Sequence, residues 1–110
     1  MSDVLNVLAS VIAAKRAADP SESYVAHLNA KGLNKILEKV GEEAVEVVIA
    51  AKDAECGDAS AGEVISEVAD LVFHTLVMLD RLGISHNEVL DVLASRQGIS
   101  GLKEKASRNQ

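Results

Sequence analysis

Tryptophan is missing from this 110-residue chain, cysteine and proline occur once each, and Tyr24 and Phe73 are the only residues of the Phe/Tyr/Trp class. A lone cysteine, Cys56, excludes an internal disulfide. Cys56 also lies in a loop-like stretch without a basic cluster or a sequence-local histidine, which argues against a catalytic thiol. Two rings make no stacking platform for single-stranded nucleic acid, and a net charge of -6 repels phosphate backbones, so no nucleic-acid partner is expected. No apolar run reaches the roughly 20 residues needed to cross a bilayer. The start, MSDVLNVLAS, lacks the basic flank and apolar stretch of a secretory signal. The expectation is a cytoplasmic protein with no membrane association.

Hydrophobic residues, by contrast, make up 48% of the chain. The length suits a single domain over 1–110, near the small end of what one core stabilises, so a partner subunit is expected to contribute. Apolar residues recur at helical rather than alternating spacing almost throughout. Val4, Leu5, Leu8, Val11 and Ile12 define a first helix, with Ser2 as N-cap and Pro20 closing the segment. Ser21 or Ser23 caps a short second helix that runs to a break at Lys31-Gly32. A third spans about Leu33 to Asp53. The run ECGDASAG at 55 to 62 reads as a loop, and a fourth helix covers about Glu63 to Leu82, stopped by Gly83. Ser85 with Glu88 forms a capping-box pattern for a fifth, and residues 97–110 form a basic tail. The fold class is all-α, a bundle of about five helices.

Charge within the third and fourth helices needs an explanation, because unpaired carboxylates are costly among apolar neighbours. In KVGEEAVEVVIAA, at about 100° per residue, Glu43 borders a stripe of Leu33, Ile36, Val40, Ala44, Val47 and Ala51. Glu46 lies about 60° to its other side, and Glu42 is the more peripheral. On the fourth helix Glu63, Glu67, Asp70 and His74 follow steps of four, three and four, on one narrow face of an otherwise apolar segment. An antiparallel pairing brings Glu43 and Glu46 opposite Glu67 and Asp70 across a crevice. Four converging carboxylates require cations, and oxygen-only ligands favour Mg2+, with Mn2+ as substitute. The plainer reading of a lone ExxE is a solvated helix face; a second acidic pair on an almost wholly apolar helix weighs against it.

Lys31, Lys35 and Lys39, spaced by four, make a cationic row suited to phosphate oxygens, so that beside a Mg2+ site they point to a polyphosphate. The alternative is a solubilising stripe paired with Glu38, Glu42 or Glu43. His74 is read as a hydrogen-bonded core histidine in preference to a donor that orients a ligand carboxylate. The apolar girth of the third and fourth helices exceeds what one small protomer covers, which predicts a homodimer.

The order EExxE at Glu42, Glu43 and Glu46, then twenty residues, then ExxD at Glu67 and Asp70, resembles the signature of the all-α nucleoside triphosphate pyrophosphatases, the MazG-like superfamily. That resemblance implies Mg2+ bound by Glu43, Glu46, Glu67 and Asp70. SYVAHL at 23 to 28, KGLNKILEKVGEEAVEVVIAAK at 31 to 52, EVADLVFHTLVML at 67 to 79 and SGLKEKASR at 100 to 108 are similar to the phosphoribosyl-ATP pyrophosphatase family of histidine biosynthesis. Val25 stands where that pattern has Thr, and Phe73 where Tyr is frequent. The resemblance implies hydrolysis of 1-(5-phosphoribosyl)-ATP to phosphoribosyl-AMP and pyrophosphate. Lys31, Lys35 and Lys39 would clamp phosphates, and Glu42 would position or deprotonate the water. In the same frame Arg96, Ser100, Lys103, Lys105 and Arg108 would grip the second phosphoribosyl group. Two rival functions compete with this one: a housecleaning (d)NTP pyrophosphatase with the same metal site, and a non-catalytic helical interaction module that binds metal for stability.

Overall fold

A computed structural model describes residues 3–97, and among them every regular element is an α-helix. These are α1 (Val4–Lys15), α2 (Tyr24–Lys31), α3 (Leu33–Glu55), α4 (Ala61–Arg81) and α5 (His86–Ser95). The five-helix, all-α expectation holds. No helix of the described residues is long and apolar enough to cross a membrane.

Local chemistry sets most boundaries. Ser2 lies outside the described residues; Asp3 occupies the N-cap of α1 without a side-chain capping bond. Pro20 does not close α1, which ends at Lys15. Between α1 and α2 the chain turns around Asp19, whose carboxylate accepts hydrogen bonds from the Ser21 amide (2.9 Å) and hydroxyl (2.8 Å), the local side-chain competition that makes Asp a turn residue. Ser23 caps α2 by accepting from the Ala26 amide, and Ser60 caps α4 by accepting from Glu63. Ser85 caps α5, but its hydroxyl takes the amide of Asn87 rather than the third-residue amide of the capping-box pattern. Gly32 breaks α2 from α3 at φ +104°, a conformation that side-chain-bearing residues rarely adopt.

The longest contact is between α3 and α4, joined by a short loop. Glu43 approaches Glu67 and Asp70, while Asp53 and Glu63 share a cleft further along, so the two helices run antiparallel. α1 and α2 cover only one end of this hairpin. There Ile12, Val25, Leu28, Ile36, Leu76 and Val77 form the buried core, with Leu5, Leu8, Phe73, Met78 and Leu79 packed around it. Arg81 donates to the Asn29 carbonyl at 2.9 Å and ties the end of α4 to the end of α2. Arg16 pairs with Asp80 at 3.2 Å and ties α1 to the same region.

Away from that end the expected stripe on α3 is only partly buried. Of its members only Ile36 is buried, Leu33, Val40, Ala44 and Val47 are half-buried, and Ala51 is exposed, while Ala50, outside the expected stripe, is buried. On α4, Ile65, Val68 and Val72 are exposed, so this helix is not enclosed on all sides within one protomer. α5 buries none of its residues, and Val89, Leu90, Val92 and Leu93 stand open. α1 and α2 cover only the base of the hairpin, and α5 starts beside α1 and the end of α4 without any of its residues becoming buried.

Ile36 touches the core from α3 and is fully enclosed, so Ile36→Ala should lower unfolding free energy by about 2–5 kcal/mol, the usual cost of emptying such a site. Urea denaturation at fixed protein concentration measures it.

Candidate functional site

Carboxylates from both arms of the hairpin meet where the core gives way to solvent. Glu43, Glu67 and Asp70 each present an oxygen, all within 4.8 Å of one another. Glu43 contributes from α3 with its side chain only 13% exposed; Glu67 is half-buried and Asp70 exposed on α4. The three-residue step from Glu67 to Asp70 keeps both on one face of α4, and the antiparallel packing sets Glu43 opposite them. Two oxygens on opposite sides of one Mg2+-sized ion lie about 4.2 Å apart, twice the usual metal–oxygen length. Cis ligands of such an ion are about 3 Å apart, so the three carboxylates need modest side-chain adjustment to share one hard cation.

Glu46 stands outside this triplet. It is exposed, and with Glu67 it lines a cleft of about 260 Å³ that also takes in Ile49, Ala50, Asp53, Glu63 and Ser66. Its charge still reaches the site. Partial burial raises the Glu67 pKa above the ordinary carboxylate value, and the negative charges of Glu46, Asp70, Glu43 and Glu63 push it further in the same direction. A larger hollow of about 320 Å³ lies between α1, the end of α4 and the start of α5. It holds Asp80, whose Oδ2 accepts no hydrogen bond although Arg16 lies 3.2 Å away, because the Arg16 Nη1 hydrogen is directed at the Asp80 carbonyl. Among the described residues that hollow lacks converging carboxylates, which instead meet between α3 and α4.

The lysine row is split by Gly32. Lys31 ends α2 and is exposed, whereas Lys35 and Lys39 lie on α3. Lys35 Nζ is 3.4 Å from Glu38, and Lys39 Nζ is 3.1 Å from Glu42 and 3.6 Å from Glu43. These are the pairings that the solubilising-stripe alternative anticipates, and one of them reaches into the carboxylate triplet. Glu42 is the peripheral member, as the angular count expects, with half its side chain exposed. The hydrogen bond from Lys39 holds its carboxyl below the usual range. Arg96 lies at the end of α5. Ser100, Lys103, Lys105 and Arg108 lie outside the described residues. Cys56 is an exposed free thiol at the end of α3.

His74 is buried, as expected of a core histidine. Its Nδ1 is 2.7 Å from the Asp70 carbonyl and its Nε2 is 2.8 Å from the Tyr24 hydroxyl. A carbonyl oxygen only accepts, so Nδ1 carries a proton and donates to the Asp70 carbonyl, while Nε2 shares a hydrogen bond with the Tyr24 hydroxyl. Desolvation raises the Tyr24 pKa, which keeps that hydroxyl protonated. Phe73 closes the group, stacked on Tyr24 at 6.1 Å and edge-on to His74 at 5.2 Å. The sequence reading missed Tyr24, the residue that pins α2 to α4 directly beneath Asp70. Its signal was its position as the first residue of a Ser-capped helix in a chain with almost no other rings.

A glutamate whose acidity is weakened on folding penalises the folded form once it ionises. The penalty is absent below the ordinary value of 4.5 and grows as pH rises through and beyond it. In chelator, Glu67→Gln should therefore raise the melting temperature at pH 7 by a few degrees. The gain should shrink to nothing in the acid range, where Glu67 is protonated folded or unfolded. Melting curves of both proteins across pH test this, and a gain independent of pH counts against charge repulsion.

The family model described as phosphoribosyl-ATP pyrophosphohydrolase matches residues 5–97, which takes in all five helices and the carboxylate triplet except for the first residue of α1. The chain therefore belongs to the phosphoribosyl-ATP pyrophosphohydrolase family, hydrolases that act on a phosphoric anhydride.

Proposed function

We propose that this protein hydrolyses 1-(5-phosphoribosyl)-ATP between its α and β phosphates in a Mg2+-dependent reaction, with Mn2+ as substitute, as a step of histidine biosynthesis. Water adds to the α-phosphorus, and phosphoribosyl-AMP and pyrophosphate leave. The observation that carries the metal dependence is the convergence of Glu43, Glu67 and Asp70 within 4.8 Å, from two helices, in a family whose substrate is a polyphosphate. When bound, Mg2+ supplies a Lewis acid that neutralises phosphate charge and makes water a better nucleophile at neutral pH.

The protein's own groups divide the remaining work. Glu43, Glu67 and Asp70 hold the cation, and Glu46, which shares a cleft wall with Glu67, is the fourth ligand. Glu42 positions the attacking water and takes its proton. Lys35 and Lys39, with Lys31 at the end of α2, face the phosphate oxygens as charge builds. Arg96 and the tail residues Ser100, Lys103, Lys105 and Arg108 hold the second phosphoribosyl group.

Phosphoribosyl-ATP and a panel of dNTPs, compared at matched Mg2+, decide between this reading and a housecleaning nucleotide pyrophosphatase. The expected result is strong preference for phosphoribosyl-ATP, abolished by chelator. Glu43→Gln and Asp70→Asn should each lower kcat/KM by at least about 100-fold, beyond what losing an outer partner of a metal ligand costs. Metal-dependent melting without pyrophosphate release from any nucleotide would instead indicate a structural module.

We further infer a homodimer in which the exposed apolar residues of the hairpin, Val48, Ile65, Val68 and Val72, pack against a second copy with the open face of α5. Several large apolar side chains left open on one helix pair and on α5 are what supports this reading. Sedimentation velocity at micromolar concentration should give a dimer, and a monomer there refutes it.

A further inference from the structure

Lys39 is placed to serve two masters. Its Nζ sits 3.1 Å from Glu42 Oε2 and 3.6 Å from Glu43 Oε1, both on its own helix at i+3 and i+4. Glu43 is also the α3 member of the carboxylate triplet. One carboxylate is thus shared between an ammonium along α3 and a cation position across the cleft. An ammonium and a divalent ion on the same carboxylate repel each other. Partly exposed helix-surface ion pairs are individually weak, so the ammonium is the partner that yields. Lys35 provides the contrast within the same helix, because its pairing is with Glu38, which is not in the triplet.

We propose that Lys39 is an exchangeable counter-ion of the carboxylate site: its ammonium holds Glu42 and Glu43 until a divalent cation takes Glu43, and it then carries its charge to a phosphate oxygen of the substrate. The proposal rests on the metal-dependent reading above and deepens it. Metal and substrate then favour each other's binding, since each stabilises the arrangement in which Lys39 has left Glu43.

The test uses the full chain and two substitutions, Lys39→Gln and Lys35→Gln, with Mn2+ alone as the first probe. Calorimetric titration without nucleotide should show Lys39→Gln binding Mn2+ about fivefold more tightly than wild type, at the low end of usual site-to-site couplings. Lys35→Gln should leave Mn2+ affinity nearly unchanged. Steady-state kinetics should show KM for phosphoribosyl-ATP rising in Lys39→Gln. Tighter metal with weaker substrate is the signature, because a damaged fold weakens both and a pure phosphate clamp leaves metal affinity alone. Unchanged or weaker Mn2+ binding by Lys39→Gln overturns the proposal, and so does equal tightening by Lys35→Gln, which would reflect diffuse charge. If wild type binds Mn2+ but turns over no nucleotide, the functional reading fails while the calorimetric comparison still decides the exchange.

Discussion

Packing α3 against α4 forces like charges together, and most of the molecule's distinctive features stem from that contact. The buried Ala50 and half-buried Ala44 and Val47 let the helices approach, and the approach sets Glu43 against Glu67 and Asp70. Burial and mutual repulsion weaken the acidity of Glu67. Lys39 offsets the charge from one side only, along α3. Partial burial leaves fewer water dipoles to screen these charges than in a fully solvated cluster, so their mutual repulsion is felt more strongly.

The load is tolerable because it sits on a well-packed base. Core residues from α1 to α4 lock the first turns of α3 to the last turns of α4, and Arg81 and Arg16 add ties across the same end. The Tyr24–His74 hydrogen bond lies at the junction of core and site. Through it α2 is anchored to the turn of α4 that carries Asp70, and both ring nitrogens of His74 are hydrogen-bonded. Carboxylates borne on two helices joined this firmly have little freedom to splay apart, which is the condition for a site that holds a small ion with strict geometry.

Beyond the site the hairpin changes character. Val48, Ile65 and Val68 are open, and α5 offers a wholly unburied apolar face. Open apolar side chains are not confined to the hairpin arms, since Val4, Val7 and Val11 of α1 are exposed and α5 starts beside α1 and the end of α4. Coverage of the exposed hairpin residues by a second copy would bear directly on the solvation of the carboxylates.

Helices, breaks and two of the serine caps were legible in the sequence because they depend on short-range chemistry: periodicity, the hydroxyls of Ser23 and Ser85, and the freedom of Gly32. The spacing of Glu67 and Asp70 likewise determined that they share a face, since an α-helix allows nothing else. Pro20 misled, because α1 already ends at Lys15, well before the proline is reached. Only tertiary structure decided that Glu43 joins the triplet while Glu46 stands beside it, and that Tyr24 belongs with His74. Those outcomes depend on the axial offset and rotation between packed helices, and on rotamers chosen by neighbours distant in the chain. A one-dimensional pattern carries the face of a helix but not the partner that face will meet.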